Sequence, residues 1–114
     1  MNKPLCIIGG RGSGKTGKLI ELAEKHNCYI VVRNKITTYR VAERARRERR
    51  KIPFPLTYDE FMQGQFFFKG IKCFVIDDVE ALLWYLARGV EVKGFSLDAS
   101  SVRLLYLNEI EDCK

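Results

Sequence analysis

The sequence predicts an α/β fold in which a mostly parallel sheet of about five strands carries helices on both faces. Short apolar runs, amphipathic segments between them and turn signals at their junctions support this prediction. Strands that alternate with helices are joined by crossover connections, and such connections make neighbouring strands parallel. The 114 residues suit one domain, residues 1–114, with a single core.

The first half of the chain predicts two strands and two helices. The apolar runs at 5–8 and 28–32 are typical of strands buried on both faces. A helix is predicted over 15–26 because its apolar residues recur at helical spacing, and Asn27 can end it. A second helix is predicted over 37–50, ahead of two prolines.

The second half opens with a capping-box pattern, Thr57 followed three residues later by Glu60, which predicts a short helix closed by Gly64. Residues 66–68 are expected to pack under the edge of the sheet. One more helix and three more strands are predicted, and Gly89 is a C-cap candidate for the helix. The helix covers 79–88 and the strands cover 71–77, 90–97 and 102–107.

The positive charge of the chain is concentrated in one segment. The net charge is +6, but residues 33–51 alone hold nine basic and two acidic side chains, or +7, so the remainder sums to −1. The sequence is therefore that of a near-neutral domain with one basic element.

The cysteines suggest no metal or redox site of their own, and the first residues suggest an intracellular protein. The cysteine spacing matches no zinc pattern, and Cys6 and Cys73 lie in apolar runs, where buried free thiols are expected; Cys113 is expected to be exposed. The apolar run at 5–8 is too short for a signal-peptide core or a membrane span. We therefore expect a cytoplasmic protein with no membrane partner.

Residues 9–16 fit the pattern G-x-x-x-x-G-K-[ST] in full, with a predicted strand before them and a predicted helix after them. Glycines let backbone amides converge on phosphate oxygens. Lys15 supplies positive charge for the β and γ phosphates, and the Thr16 hydroxyl can bind Mg²⁺. The residues predicted to bind the phosphates are Gly9, Gly10, Arg11, Gly12, Ser13, Gly14, Lys15, Thr16 and Gly17.

This loop resembles the Walker A motif of P-loop NTPases, and residues 73–78 resemble their Walker B motif, a mostly apolar run followed by an acid. The resemblance implies a three-layer α/β/α P-loop core in which Asp77 holds Mg²⁺. Asp78 stands where many members carry the glutamate that activates water, so it joins Lys15 as a predicted catalytic residue. Because aspartate is one methylene shorter, hydrolysis would be slow, or Glu80 would act instead. Asp78 fits a helix N-cap equally well.

The sequence of its glycine loop is similar to the loops of RecA-like, AAA-like and phage-type small ATPases, which include nucleic-acid motors. Such proteins often carry a polar sensor beside Walker B, and Ser96, Asp98 and Asn108 are the candidates. The layout of residues 76–98 is also similar to that of thymidine kinases, but their zinc ribbon and nucleoside-covering lasso have no counterpart. Residues 34–37 match the guanine-reading Asn-Lys-x-Asp element only in part, so ATP is the predicted nucleotide.

The helix predicted over 37–50 carries a basic stripe at helical spacing, together with a predicted Glu43–Arg47 ion pair. Three uses remain open: a solvated face, contact with nucleic-acid phosphates, or an arginine finger that reaches a neighbour's γ-phosphate. No interleaved aromatic residues are recognised, so base stacking is not predicted. The candidates for the second and third uses are Arg40, Arg44, Arg46, Arg47 and Arg50.

Together these features predict a small Mg-ATP-binding ATPase that acts on or beside nucleic acid through residues 33–51, as a homo-oligomer or with a partner protein. One alternative is a nucleotide-binding regulatory module with little or no hydrolysis. Another is a nucleoside or nucleotide kinase of the thymidine kinase type.

Overall fold

The computed structural model describes residues 3–64, 70, 71 and 73–107. Within these ranges strands and helices alternate along most of the chain, and a short 3₁₀ helix, Ala99–Ser101, precedes the last strand. The elements are β1 (Leu5–Ile8), α1 (Lys15–His26), β2 (Tyr29–Val32), α2 (Lys35–Arg47), β3 (Leu56–Thr57), α3 (Tyr58–Met62), β4 (Phe74–Ile76), α4 (Val79–Leu86) and β5 (Arg103–Tyr106).

All strand pairs within the described ranges are parallel, which confirms the predicted fold class. The prediction of a single five-stranded sheet is wrong, because among the described residues β1 pairs with β5 alone and a separate sheet has the order β3-β2-β4. Residues 90–97, predicted as a strand, form no regular structure, and Gly94 interrupts their apolar run. The fifth strand is instead the two-residue β3. It was not predicted, because two residues are too few to show an alternation of apolar and polar side chains.

The core forms around β2, whose four residues are all buried. Ile30 and Val32 share one face because side chains alternate along a strand, and this face packs against α1 and α2. On the other face Tyr29 stacks on Phe74 at a centroid distance of 6.2 Å, and Phe74 meets Phe61 of α3 at 4.9 Å. The three-stranded sheet therefore has helices on both faces, as predicted.

The predicted burial of β1 on both faces is wrong. Its residues are only partly buried, and Ile8 is 38% exposed, because β5 is the one strand that pairs with β1 in the part of the chain that the structure describes. Cys6 and Cys73 are likewise only half-buried, whereas Cys28 is the buried thiol. Burial raises the pKa of Cys28 to about 12, so this thiol stays protonated at neutral pH and has no reactive character.

Local capping signals explain most helix ends. Asn27 ends α1 in the left-handed conformation, at φ 54°, as predicted. The capping box at Thr57 and Glu60 is confirmed, with both of its hydrogen bonds present. α2 begins earlier than predicted because the Asn34 side chain accepts a hydrogen bond from the Thr37 amide at 2.9 Å.

α2 also ends three residues before the predicted Arg50. Arg49 adopts a left-handed conformation at φ 58°, and the Arg50 amide turns back to the Ala45 carbonyl oxygen at 2.8 Å. This hydrogen bond closes the helix before the prolines are reached. Similarly, α4 ends at Leu86, just before Gly89 at φ 86°.

No helix in the described ranges is long and apolar enough to cross a membrane. The predicted packing of residues 66–68, the sensor candidate Asn108 and the expected exposure of Cys113 lie outside the described residues.

Candidate functional site

The glycine loop connects β1 to α1 and depends on two left-handed backbone conformations. Gly12 has φ 81° and Gly14 has φ 95°. A Cβ added at either residue would meet nothing within 4 Å, so glycine is required here by the backbone and not by lack of space. This backbone lets the chain enter α1 directly, with the helix N-terminus at the loop.

Lys15 lies against the loop that precedes it. Its Nζ donates hydrogen bonds to the carbonyl oxygens of Gly9 at 2.8 Å and Gly10 at 2.7 Å. The ammonium group is therefore held at the loop, where an anion could compete for it.

Ser13 packs into the loop with an unsatisfied hydroxyl. The residue is buried, and its Oγ has no hydrogen-bond partner among the described residues. A Cβ at Gly9 would overlap this Oγ and lie 3.2 Å from the Leu107 carbonyl oxygen. Gly9 is thus required by close packing, and Ser13 leaves a buried polar group that a ligand or water can satisfy.

Asp77 follows β4 and is the most perturbed carboxyl group of the site. Burial, and then the neighbouring charge of Asp78, raise the pKa of Asp77 to about 6, while Lys15 acts in the opposite direction. A divalent cation would offset both the burial cost and the repulsion. The hydroxyl of buried Tyr58 donates to the carbonyl oxygens of Asp77 at 3.0 Å and Asp78 at 3.2 Å, which fixes the backbone that carries both carboxylates.

Asp78 is the N-cap residue of α4 but does not cap it with its side chain. The residue is left-handed, at φ 58°, and its side chain makes no capping hydrogen bond. The capping role that the sequence suggested for this carboxylate is therefore not present. Glu80 is exposed in the first turn of α4, and its charge contributes to the raised pKa of Asp77.

A cavity of about 710 Å³ joins the loop to the basic helix. Thr16 and Asp77 line one side of it, and α2 lines the other. The Arg44 guanidinium approaches so closely that Nη2 lies 2.8 Å from where a Cβ of Gly17 would stand. From α2 the lining residues are Ile36, Thr37, Tyr39, Arg40, Val41, Glu43, Arg44 and Arg47.

Some arginines of the predicted basic stripe form ion pairs, and others do not. Arg46 pairs with Glu43 at 2.5 Å, Arg44 with Glu48 at 2.8 Å, and Arg50 with Glu24 of α1 at 2.9 Å. The predicted Glu43–Arg47 pair is therefore replaced by Glu43–Arg46.

Arg40 and Arg47 form no salt bridge within the part of the chain that the structure describes, and both line the cavity. Arg46 and Arg50 do not line it. The structure thus brings Arg40, Arg44 and Arg47 together with Thr16 and Asp77.

Ser96 and Asp98, the predicted sensor residues within the described ranges, do not line the cavity. Asp98 caps the 3₁₀ helix, accepting hydrogen bonds from the Ser100 amide at 3.0 Å and from the Ser100 hydroxyl at 2.7 Å. These bonds lower the pKa of Asp98. Ser96 and Arg11 are exposed and are not among the residues that line the cavity.

The donors at the site suit a weakly held hard cation. Within the described ranges no three His, Cys, Asp or Glu side chains group together as a metal site. Thr16 and Asp77 offer one hydroxyl and one carboxylate, and Mg²⁺ is usually held by such a small protein set, completed by water and phosphate oxygens. The hydroxyl oxygen of Thr16 and the carboxylate oxygens of Asp77 are therefore ligands of the chemical kind that Mg²⁺ takes.

Sequence reasoning missed three contributors: Tyr58, Tyr39 and the contact between Gly17 and Arg44. A glycine in the first turn of α1 was a usable signal, because glycine costs helix stability unless something needs the space. Tyr39 was also visible, directly before Arg40 in the basic segment. The role of Tyr58 depends on a contact nineteen residues away, which no local pattern reveals.

No protein-family model matches the chain, and comparison with curated proteins and with solved structures finds no significant similarity. The function is therefore argued from the residues of the site.

Proposed function

We propose that the chain binds Mg-ATP at residues 9–17 and hydrolyses it while acting on or beside nucleic acid. The observation that carries this proposal is the convergence of Thr16, Asp77 and three arginines of α2 on one cavity at the glycine loop. The helices on both faces of the β3-β2-β4 sheet support a layered α/β architecture, while β1, which leads into the glycine loop, pairs with β5 in the separate sheet.

Within this proposal the loop holds the phosphates. The amides around Gly12 and Gly14 and the N-terminus of α1 bind phosphate oxygens, and Lys15 exchanges its carbonyl partners for the β and γ phosphates. Thr16 and Asp77 hold Mg²⁺, which when bound would neutralise phosphate charge. The raised pKa of Asp77 supports this assignment, because a cation relieves the buried negative charge.

Asp78 is the proposed base that positions or deprotonates the attacking water, with Glu80 as the nearby alternative. Its carboxylate makes no capping hydrogen bond, and Tyr58 holds its backbone. The short aspartate side chain reaches less far than glutamate, so we propose slow turnover.

The unpaired arginines support the nucleic-acid partner. Residues 33–51 carry +7, and Arg40 and Arg47 keep their charge free of salt bridges among the described residues. A concentrated basic surface of this kind is what phosphate backbones bind. Because the same arginines line the cavity beside Thr16, they could also contact the terminal phosphate of the nucleotide.

The nucleotide proposal is tested with Lys15→Ala, and Lys18→Ala is the matched control. Lys18 lies one turn later and pairs with Glu21 at 3.3 Å on the helix surface. We expect Mg-ATP affinity to fall about tenfold or more for Lys15→Ala, the loss of a charge-assisted hydrogen bond, and to stay within about twofold for Lys18→Ala. Isothermal titration measures both, and equal affinity in the two variants would reject the assignment of Lys15.

ATP hydrolysis is tested separately from ATP binding. The second candidate function is a nucleotide-binding regulatory module with little turnover. The short Asp78 side chain at the base position favours it. Steady-state ATP hydrolysis with and without single-stranded and double-stranded DNA decides between the two. Turnover no higher than that of Lys15→Ala, with ATP binding intact, would establish the regulatory module.

A further inference from the structure

Two aromatic rings stand open to solvent beside the unpaired arginines. Tyr39 is 60% exposed and Phe54 is 49% exposed, although large aromatic side chains usually bury most of their area. They contact each other edge to face at a centroid distance of 5.5 Å, which leaves ring surface free. Tyr39 also lines the cavity.

Arg40 and Arg47 both lie C-terminal to Tyr39 on α2 and are placed for backbone phosphates. Arg40 follows Tyr39 directly, and Arg47 lies two turns further along the same face. The one carboxylate of α2 that lines the cavity, Glu43, is already neutralised by Arg46 at 2.5 Å. The face therefore combines open rings with two arginines that form no salt bridge among the described residues.

We propose that this face binds single-stranded nucleic acid, with a base stacked on Tyr39 and Phe54 and backbone phosphates held by Arg40 and Arg47. Stacking on aromatic side chains together with a positively charged groove is the usual way in which proteins bind single strands. The inference rests on the nucleic-acid partner of the proposed function and names its form and its contact residues.

The shape of the face favours a single strand over a duplex. An α-helix reads duplex DNA by lying freely in the major groove. Here Thr16 and Asp77 lie opposite the same face of α2, on the other side of a cavity of about 710 Å³. That recess has the size of a small-ligand pocket, which suits one or two nucleotides of an unpaired strand.

The extent of the charge favours a strand over a free nucleotide. A nucleoside monophosphate needs one or two cationic partners, whereas the basic segment continues past the cavity to exposed Arg49 and Lys51. A strand that leaves the cavity would meet these residues next.

The test uses the full-length protein without ATP and measures fluorescence anisotropy of a labelled oligothymidylate of about fifteen nucleotides. An oligouridylate, a hairpin duplex and unlabelled thymidine monophosphate are compared. The variants are Tyr39→Ala, Tyr39→Phe and Arg47→Ala. Lys93→Ala is the matched control, because Lys93 is 85% exposed in its side chain, pairs with Glu91 at 3.2 Å and does not line the cavity.

We expect the single strands to bind more tightly than the duplex. Tyr39→Ala weakens binding roughly 5- to 100-fold, the range for loss of one stacked base, and Tyr39→Phe stays within about twofold. Arg47→Ala weakens binding and lowers the slope of log affinity against log salt by about 1, and Lys93→Ala changes that slope little. Thermal unfolding confirms that each variant is folded, and Tyr39→Phe keeps the comparison valid if Tyr39→Ala is not.

Several results would overturn the proposal: no strand binding by the wild type, preference for the duplex, equal effects of Lys93→Ala and Arg47→Ala, or unchanged affinity in the Tyr39→Ala variant. Binding of thymidine monophosphate alone, with the same sensitivity to Tyr39, would replace the strand by a free nucleotide. ATP affinity is measured separately, so intact ATP binding without strand binding rejects this inference and leaves the P-loop assignment standing.

Discussion

The carboxyl group of Asp77 is largely buried, and its negative charge could bind a cation. Its carboxylate lies beside Asp78, and burial together with that neighbour raises the pKa to about 6, against 3.8 for an ordinary aspartate. In the folded protein without a cation, the ionised form of Asp77 is therefore destabilising at neutral pH. Such a cost is expected at a binding site, where a ligand supplies the missing countercharge.

Asp77→Asn should therefore stabilise the protein at neutral pH. The folded protein takes up the proton first as the pH falls, so wild-type stability rises between about pH 6 and pH 4, and the advantage of the variant shrinks over that range. The shift of about two units corresponds to nearly 3 kcal/mol, and partial exposure reduces the expected gain to about 1–2 kcal/mol above pH 6. Urea unfolding at several pH values measures it.

Asp98 provides a control in which the pKa shift has the opposite sign. Hydrogen bonds from Ser100 lower the pKa of Asp98, whereas the pKa of Asp77 is raised. Asp98→Ala should lose stability at pH values above the unfolded pKa, and this loss should disappear in acid as the native carboxylate is protonated. If Asp77→Asn gave the same sign as Asp98→Ala, the burial argument for Asp77 would be wrong.

At the scale of elements, Gly9 after β1 and Gly17 in the first turn of α1 have different surroundings, so alanine at these two positions should have opposite effects on stability. Gly17→Ala should raise stability by about 0.5–1 kcal/mol, because alanine favours the helix and the Arg44 guanidinium, the end of a flexible side chain, can move aside. Gly9→Ala should cost about 1–3 kcal/mol, since its Cβ would overlap buried Ser13 and press on the Leu107 backbone. Urea unfolding of both variants checks the opposite signs, and equal effects would contradict this account.

Elements with local signals were predicted well, and those that depend on distant partners were not. α1 matched its predicted range, and the capping box at Thr57 formed, because both signals lie within a few residues. The separation of β1 from β4, the short β3 and the irregular residues 90–97 depend on which surfaces pack together. The loop and Asp77 could be named from sequence, whereas the position of α2 over Thr16 could not.

On the scale of the whole molecule, the candidate site joins the two sheets. The loop follows β1 of one sheet, and Asp77 follows β4 of the other. Lys15 nonetheless acts on the pKa of Asp77, and α2 closes the cavity from the side of the three-stranded sheet, through Arg44 beside Gly17. A ligand on the loop and a ligand on α2 would therefore share one cavity and one set of arginines.

Shared arginines predict reciprocal coupling between nucleotide and strand. The terminal phosphate of ATP brings negative charge beside Arg44 and Arg47, so Mg-ATP should weaken oligothymidylate binding, by about fivefold or more. Linkage requires the oligonucleotide to weaken Mg-ATP binding by the same factor. Anisotropy titrations at saturating non-hydrolysable ATP analogue, and nucleotide titrations at saturating oligonucleotide, measure the two directions. Lys15→Ala should lose the coupling and keep strand binding. Independent binding of the two ligands would mean that Arg40, Arg44 and Arg47 serve only one of them.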